Sequence, residues 1–196
     1  MKRKATIDRK TKETEITLKL DLDGTGMSKI KTGIPFFDHM LSLTAAHGFM
    51  DMEISAKGDT EVDDHHTMED LGICMGMAMK EALGEKKGIR RFGQATIPMD
   101  ESLVRVAVDI SNRPFLAYRV LPGESRTGRF DINLIEDFFR ALVNHSGITM
   151  HVDLISGRDA HHIAESIFKS FGRALDMAVQ MEKRSQGTVP STKGLL

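Results

Sequence analysis

One arrangement of strands, helices and metal-ligand residue types is written twice along these 196 residues, and that duplication narrows the available folds more than any other feature. Early in the chain, Ile16, Leu18, Leu20 and Leu22 alternate with polar residues and stop at the turn-forming run Asp23-Gly24-Thr25-Gly26, which reads as a half-buried strand and its exit. The stretch from Glu101 to Asn112 repeats the stretch from Glu13 to Gly24 at an offset of 88, so that Glu101 falls on Glu13 and Asp109 on Asp21. A helical segment from Pro35 to Gly48 has its counterpart from Leu134 to Ser146. At an offset of 98, His47 meets His145 and His39 meets Asp137. Short strands over 50–56 and 148–155 follow, then turns with Gly58 or Gly157, then helices over roughly 66–83 and 162–181.

The order strand, strand, helix, strand, helix, said twice, predicts an α+β fold of two similar half-domains in tandem. The halves run over about 5–92 and 93–184, with a C-terminal tail over 185–196. Each half is expected to be a mixed sheet with helices on one face. Alone, either would bury too little surface to be more than marginal, so the two are expected to pack into one unit. The period is too long, and the copies too few, for a solenoid.

Both late helices open on the same cluster. Asp64-His65-His66-Thr67-Met68-Glu69 and Ala160-His161-His162-Ile163-Ala164-Glu165 lie 96 residues apart and hold four of the eight histidines. On a helix, a glutamate three or four positions after a histidine shares its side. Adjacent residues diverge by about 100°, so the paired histidines are placed to serve different metal ions. Imidazoles and carboxylates without thiolate suit Mn²⁺, Fe²⁺ or Zn²⁺ better than the oxygen shells of calcium and magnesium. His39 joins them as a candidate because its repeat counterpart, Asp137, is also a ligand type.

Other residues carry less. His145 near a helix end reads as a cap, His151 as a half-buried strand histidine, and Met75, Met77 and Met79 as helix packing. Arg90-Arg91 and Arg113 are guanidinium forks suited to phosphate, and the tail residues Ser191, Thr192 and Lys193, between Pro190 and Gly194, make a reasonable anion clamp. A net charge of -1 offers no footprint for nucleic acid or an anionic membrane. The single Cys74 is expected to be a buried thiol in a reducing cytoplasm, and no segment is apolar enough to span a membrane. A dinuclear hydrolase and a metal-linked shell protein are rival readings of such ligands.

The stretches LDLDGTG, GIPFFDHML, DDHHTMEDLG, GIRRFG, PMDE, DISNRP, EDFFRAL, GRDAHHIAESIFKSFGRAL and VPSTKG together resemble the imidazoleglycerol-phosphate dehydratase family over essentially the whole chain. The resemblance implies dehydration of D-erythro-imidazole-glycerol phosphate to imidazole-acetol phosphate with two Mn²⁺ per site, in histidine biosynthesis. It implies metal ligands at His39, His65, His66, Glu69, His161, His162 and Glu165, with an eighth position at Asp137. Substrate contacts map to Glu13, Arg91, Arg113, Ser191 and Lys193, the last four gathering the phosphate. Glu13 and Glu165 are the candidates for proton transfer, around an imidazolate held between two metal ions. A 24-subunit shell with metals bridging subunits is implied as well.

Overall fold

The computed structural model describes residues 3–123, 125–185 and 187–196, so Gln186 of the tail lies outside the described residues. In the first half the elements are β1 (Lys4–Lys10), β2 (Thr14–Asp21), β3 (Ser28–Lys31), α1 (Pro35–Gly48), β4 (Asp51–Gly58) and α2 (His65–Leu83). The second half gives β5 (Phe92–Met99), β6 (Ser102–Asp109) and β7 (Phe115–Arg119), then a short hairpin of β8 (Arg126–Thr127) and β9 (Phe130–Asp131). It continues with α3 (Leu134–Ser146), β10 (Thr149–Ser156) and α4 (Ala160–Val179).

Two four-stranded sheets result, ordered β1-β2-β4-β3 and β5-β6-β10-β7. In each, the last strand runs parallel to its neighbour and the others are antiparallel, so the sheets are mixed, as expected. The strand count is not as expected: in each half three strands of the four-stranded sheet, not two, precede the first helix, and the second half adds the β8–β9 hairpin before it. The edge strands explain the difference. β3 is Ser-Lys-Ile-Lys with only a half-buried Ile30 to mark it, and β7 shows no clean alternation.

The helices lie between the sheets, because each sheet has one apolar face. Ile16, Leu18 and Leu20 line one, and Val104, Val106 and Val108 the other. α2 rests on β1 and β2 yet packs along α3, while α4 rests on β5 and β6 and packs along α1. Each half therefore meets the other through its helices, and one hydrophobic cluster runs through both. Phe37, Phe138, Phe139 and Phe168 fill that seam, with ring centroids 5.0–6.0 Å apart.

The paired helices run in the same direction. Along α1 and α4, the Thr44 hydroxyl donates to the Phe168 carbonyl one turn beyond His39 and Glu165, and Gly48 meets Gly172 beyond that. Along α2 and α3, a Cβ on Gly72 would lie 2.4 Å from the Phe138 carbonyl oxygen, and one on Gly76 2.5 Å from that of Leu142. Those two glycines let the backbones touch. Parallel pairing brings the first two turns of paired helices side by side, and the ligand residues sit in those turns.

Candidate functional site

The two His-His pairs are aimed by acidic residues at the helix starts. Asp159 caps α4 by accepting from the backbone N–H groups of His161 and His162, and Asp63 accepts from that of His65. α2 is pinned to the first hairpin by Asp70, which accepts from Arg9 at 2.9 Å and from the Thr14 hydroxyl. The pin holds Glu13, in the hairpin turn, near the start of α2.

Within each pair the rings point apart. Their centroids are 6.1 Å from each other at His65 and His66, and 6.2 Å at His161 and His162. His161 turns inward to the seam. There His39 Nε2 and His161 Nε2 each lie 3.1 Å from Glu165 Oε1, and one ligating atom from each of the three residues falls within 4.8 Å of the others. Two imidazoles and a carboxylate converging in this way suit a borderline divalent cation. Glu165 is buried, which alone would raise its pKa. Hydrogen bonds from Lys169, His39 and His161 outweigh burial and hold it at about 2.

The second grouping is looser. His65 Nδ1 lies 3.4 Å from Asp137 on α3, while Glu69, one turn along α2, is exposed and forms no ion pair among the described residues. The pairing crosses between halves. His39 of the first half joins the second-half cluster, and Asp137 of the second half faces the first-half cluster. Internal alignment matched His39 with Asp137 as equivalents, and the parallel helix pairs then exchange them.

His66 and His162 turn outward to the hairpins. His66 Nδ1 lies 3.0 Å from Asp59 and 3.9 Å from Glu13, and the bond to Asp59 raises its pKa. His162 Nδ1 lies 2.7 Å from Glu101, which raises the imidazole and holds the carboxyl far below its usual range. Glu101 also accepts from the backbone N–H groups of Arg158 and Asp159. Glu13, its repeat counterpart, is more than half exposed and makes no comparable set of bonds among the described residues.

Sequence reasoning assigned no role to Asp59, Glu101 or Lys169. The offset of 88 could have found Glu101, and the i to i+4 spacing from Glu165 could have found Lys169. Asp59 has no comparable signal.

The basic candidates gather elsewhere. Arg91 Nε lies 2.7 Å from Asp109, Arg113 lies 3.4 Å from the same carboxylate, and Arg91 also donates to the Pro190 carbonyl of the tail at 2.8 Å. Arg91 holds φ at 75° and is tied by its own N–H to Ala178 and by its carbonyl to Ile110. The Ser191 hydroxyl accepts from the Lys193 backbone N–H at 3.2 Å, and the Lys193 side chain is exposed. In the β5–β6 ladder Phe92 pairs with Asp109 and Met99 with Ser102, so Arg91 and Glu101 stand at opposite ends. Seven residue steps of strand separate them by about 23 Å. Within one chain the basic cluster does not reach the metal-ligand cluster.

Two of the three remaining histidines have local partners. His145 Nδ1 is 2.8 Å from the Ala141 carbonyl of its own helix, and His151 lies beside Phe115 and Arg119. Cys74, Met75 and Met79 are buried, and Met77 is exposed. No helix among the described residues is long and apolar enough to cross a membrane.

Comparison with known proteins gives one answer. The family model for imidazoleglycerol-phosphate dehydratase matches residues 32–175. The imidazoleglycerol-phosphate dehydratase of Geobacter sulfurreducens is 56% identical over 196 residues, which is all of both chains. That of Neisseria gonorrhoeae is 52% identical over 194 residues and is longer, this chain spanning 64% of it. The crystal structure of IGPD from Pyrococcus furiosus in complex with (S)-C348 superimposes with a TM-score of 0.84 at 39% identity, covering 97% of this chain and 100% of that one.

Proposed function

From membership of the imidazoleglycerol-phosphate dehydratase family, the hydro-lyases of histidine biosynthesis to which this chain belongs, we propose that the clusters at the two helix seams hold two Mn²⁺ ions. They would act on D-erythro-imidazole-glycerol phosphate, giving imidazole-acetol phosphate. The observation that carries the reading is the convergence of His39, His161 and Glu165 on one point without a thiolate. His65, Glu69 and Asp137 supply the second set of donors, and the outward-turned His66 and His162 are free to complete shells shared with neighbouring subunits. When bound, the two ions would supply Lewis acidity to the imidazole end of the substrate, drawing charge out of the adjoining carbon chain.

The chain's own carboxylates divide the remaining work. Glu165 would give one oxygen to the metal and has the other 2.5 Å from Lys169, so it holds rather than exchanges protons. Glu13 is exposed beside His66 and has lone pairs to spare. It takes the carbon-bound proton beside the alcohol and returns it to the departing hydroxyl, which leaves as water, and the resulting enol tautomerises to the ketone. Arg91, Arg113, Ser191 and Lys193 bind the phosphate and use that binding energy to keep the reacting carbons in register.

One small substrate cannot touch both ends of the β5–β6 hairpin, so the phosphate cluster at each site comes from another copy of the chain. A closed assembly satisfies this for every copy, and a 24-subunit shell in the cytoplasm is the form we propose. The test is Mn²⁺-dependent consumption of imidazole-glycerol phosphate by the purified protein, with His65→Ala and His161→Ala as inactive controls. Absence of product from assembled, manganese-loaded protein overturns the reading.

A further inference from the structure

The inference concerns what holds His161 in place, and it rests on the metal reading above. Histidines that bind metals through one ring nitrogen usually have the other fixed by a hydrogen bond, which sets the ring plane. His66 and His162 have carboxylate partners at Nδ1, at 3.0 and 2.7 Å. His161 Nδ1 has no partner among the described residues. The ring's other polar contact is Nε2 to Glu165, a fellow ligand, and that contact is surrendered when both groups turn to an ion.

An aromatic ring packs against His161 instead. Phe36, at the start of α1, presents its ring to His161 edge-on, with centroids 5.2 Å apart and planes at 75°. Phe36 is itself backed by Phe130, 4.9 Å away. Phe130 is the buried anchor of the β8–β9 hairpin, whose other residues are exposed or half-buried, and that hairpin is an insertion with no counterpart in the first half. At the offset of 98 that places His39 on Asp137, Phe36 falls on Leu134. The looser His65 cluster therefore has an aliphatic residue at the equivalent position, and no phenylalanine stacks on His65 among the described residues.

We propose that Phe36, backed by Phe130, is a positioning residue that sets the ring plane of His161, so that the His39–His161–Glu165 cluster binds a divalent cation more tightly than the His65 cluster. The aromatic stack does for His161 what Asp59 and Glu101 do for its neighbours.

The experiment is titration of the metal-stripped, full-length protein with Mn²⁺, counting free ion by its electron paramagnetic resonance signal. The wild type is expected to show a tight and a weaker class of site. Phe36→Ala is expected to weaken the tight class by roughly 10–100-fold, the usual cost of losing a group that orients a ligand. The weaker class should stay in place, and Phe36→Tyr, which keeps the ring edge, should restore the tight one. Phe130→Ala should move the tight class in the same direction, and Leu134→Ala should not move it. An unchanged tight class in Phe36→Ala overturns the proposal, as does equal weakening of both classes or a single class in the wild type. A wild type that takes up no Mn²⁺ overturns the metal reading itself, an outcome distinct from two normal classes that ignore Phe36.

Discussion

Glu13 and Glu101 occupy the same place in the two halves, each in a hairpin turn beside an outward-facing histidine, and the structure gives them opposite fates. Glu101 is committed on both oxygens, to His162 and to the backbone at the start of α4. Glu13 is left free, so Glu13→Gln should lower kcat by roughly 10²–10⁴-fold, the usual range for a lost proton-transfer group, with Mn²⁺ uptake preserved. Steady-state kinetics beside a metal titration would check it; equal loss of metal would point to a ligand role instead. The locked partner makes a pH prediction for metal-free protein. The His162 pKa is raised on folding, so its contribution to stability is present below the unfolded value near 6.5 and fades as pH rises through the folded value. The Glu101 pKa is lowered, so its contribution is present above about 4.3 and fades as pH falls. The urea-midpoint difference between wild type and Glu101→Gln should therefore peak between about pH 4.5 and 6.5 and shrink as pH rises through the folded His162 value. Much of this was legible in sequence, because helical spacing alone puts Glu165 on the side of His161. Which helix supplies the third group was not, since that depends on how the halves meet.

At the scale of elements, the site depends on how closely two parallel helices approach. Gly72 and Gly76 let α2 touch the backbone of α3, and that contact carries His65 to Asp137. For Gly76→Ala two effects oppose each other. Helix propensity favours alanine by about 1 kcal/mol, but the new Cβ would lie 2.5 Å from the Leu142 carbonyl oxygen and 2.8 Å from the His145 Cβ. Backbone cannot give way as a flexible side chain can, so the clash should win by about 1–3 kcal/mol, seen as a lower urea midpoint. Separation of α2 from α3 should also weaken the second class of Mn²⁺ site before the first. A midpoint at or above wild type would show that the helices part without cost. The helices and central strands were readable because their apolar positions repeat at 3.6 or 2. The edge strands β3 and β7 were not, because one half-buried face leaves almost no pattern; the β8–β9 hairpin broke the repeat instead of extending it.

At the scale of the whole molecule, duplication explains two seams, while the basic cluster explains why one chain is not enough. Arg91 and Arg113 meet at Asp109, with the tail held against Arg91, at the far end of the β5–β6 hairpin from Glu101 and His162. No periodicity in the sequence could reveal this, because strand length and register decide which end of a sheet a residue occupies. If each site draws its phosphate group from another copy, defects at the two ends should complement. His161→Ala and Arg91→Ala should each be inactive as pure assemblies. Dissociated, mixed in equal amounts and reassembled with Mn²⁺, they should recover activity, because some sites then pair an intact metal end with an intact basic end. With random mixing and one donor copy for each end, roughly a quarter of the sites are whole, which sets the expected activity relative to wild type carried through the same cycle. Mixtures no more active than the two parents, despite shared assembly shown by native mass spectrometry, would place both ends of the site within a single chain.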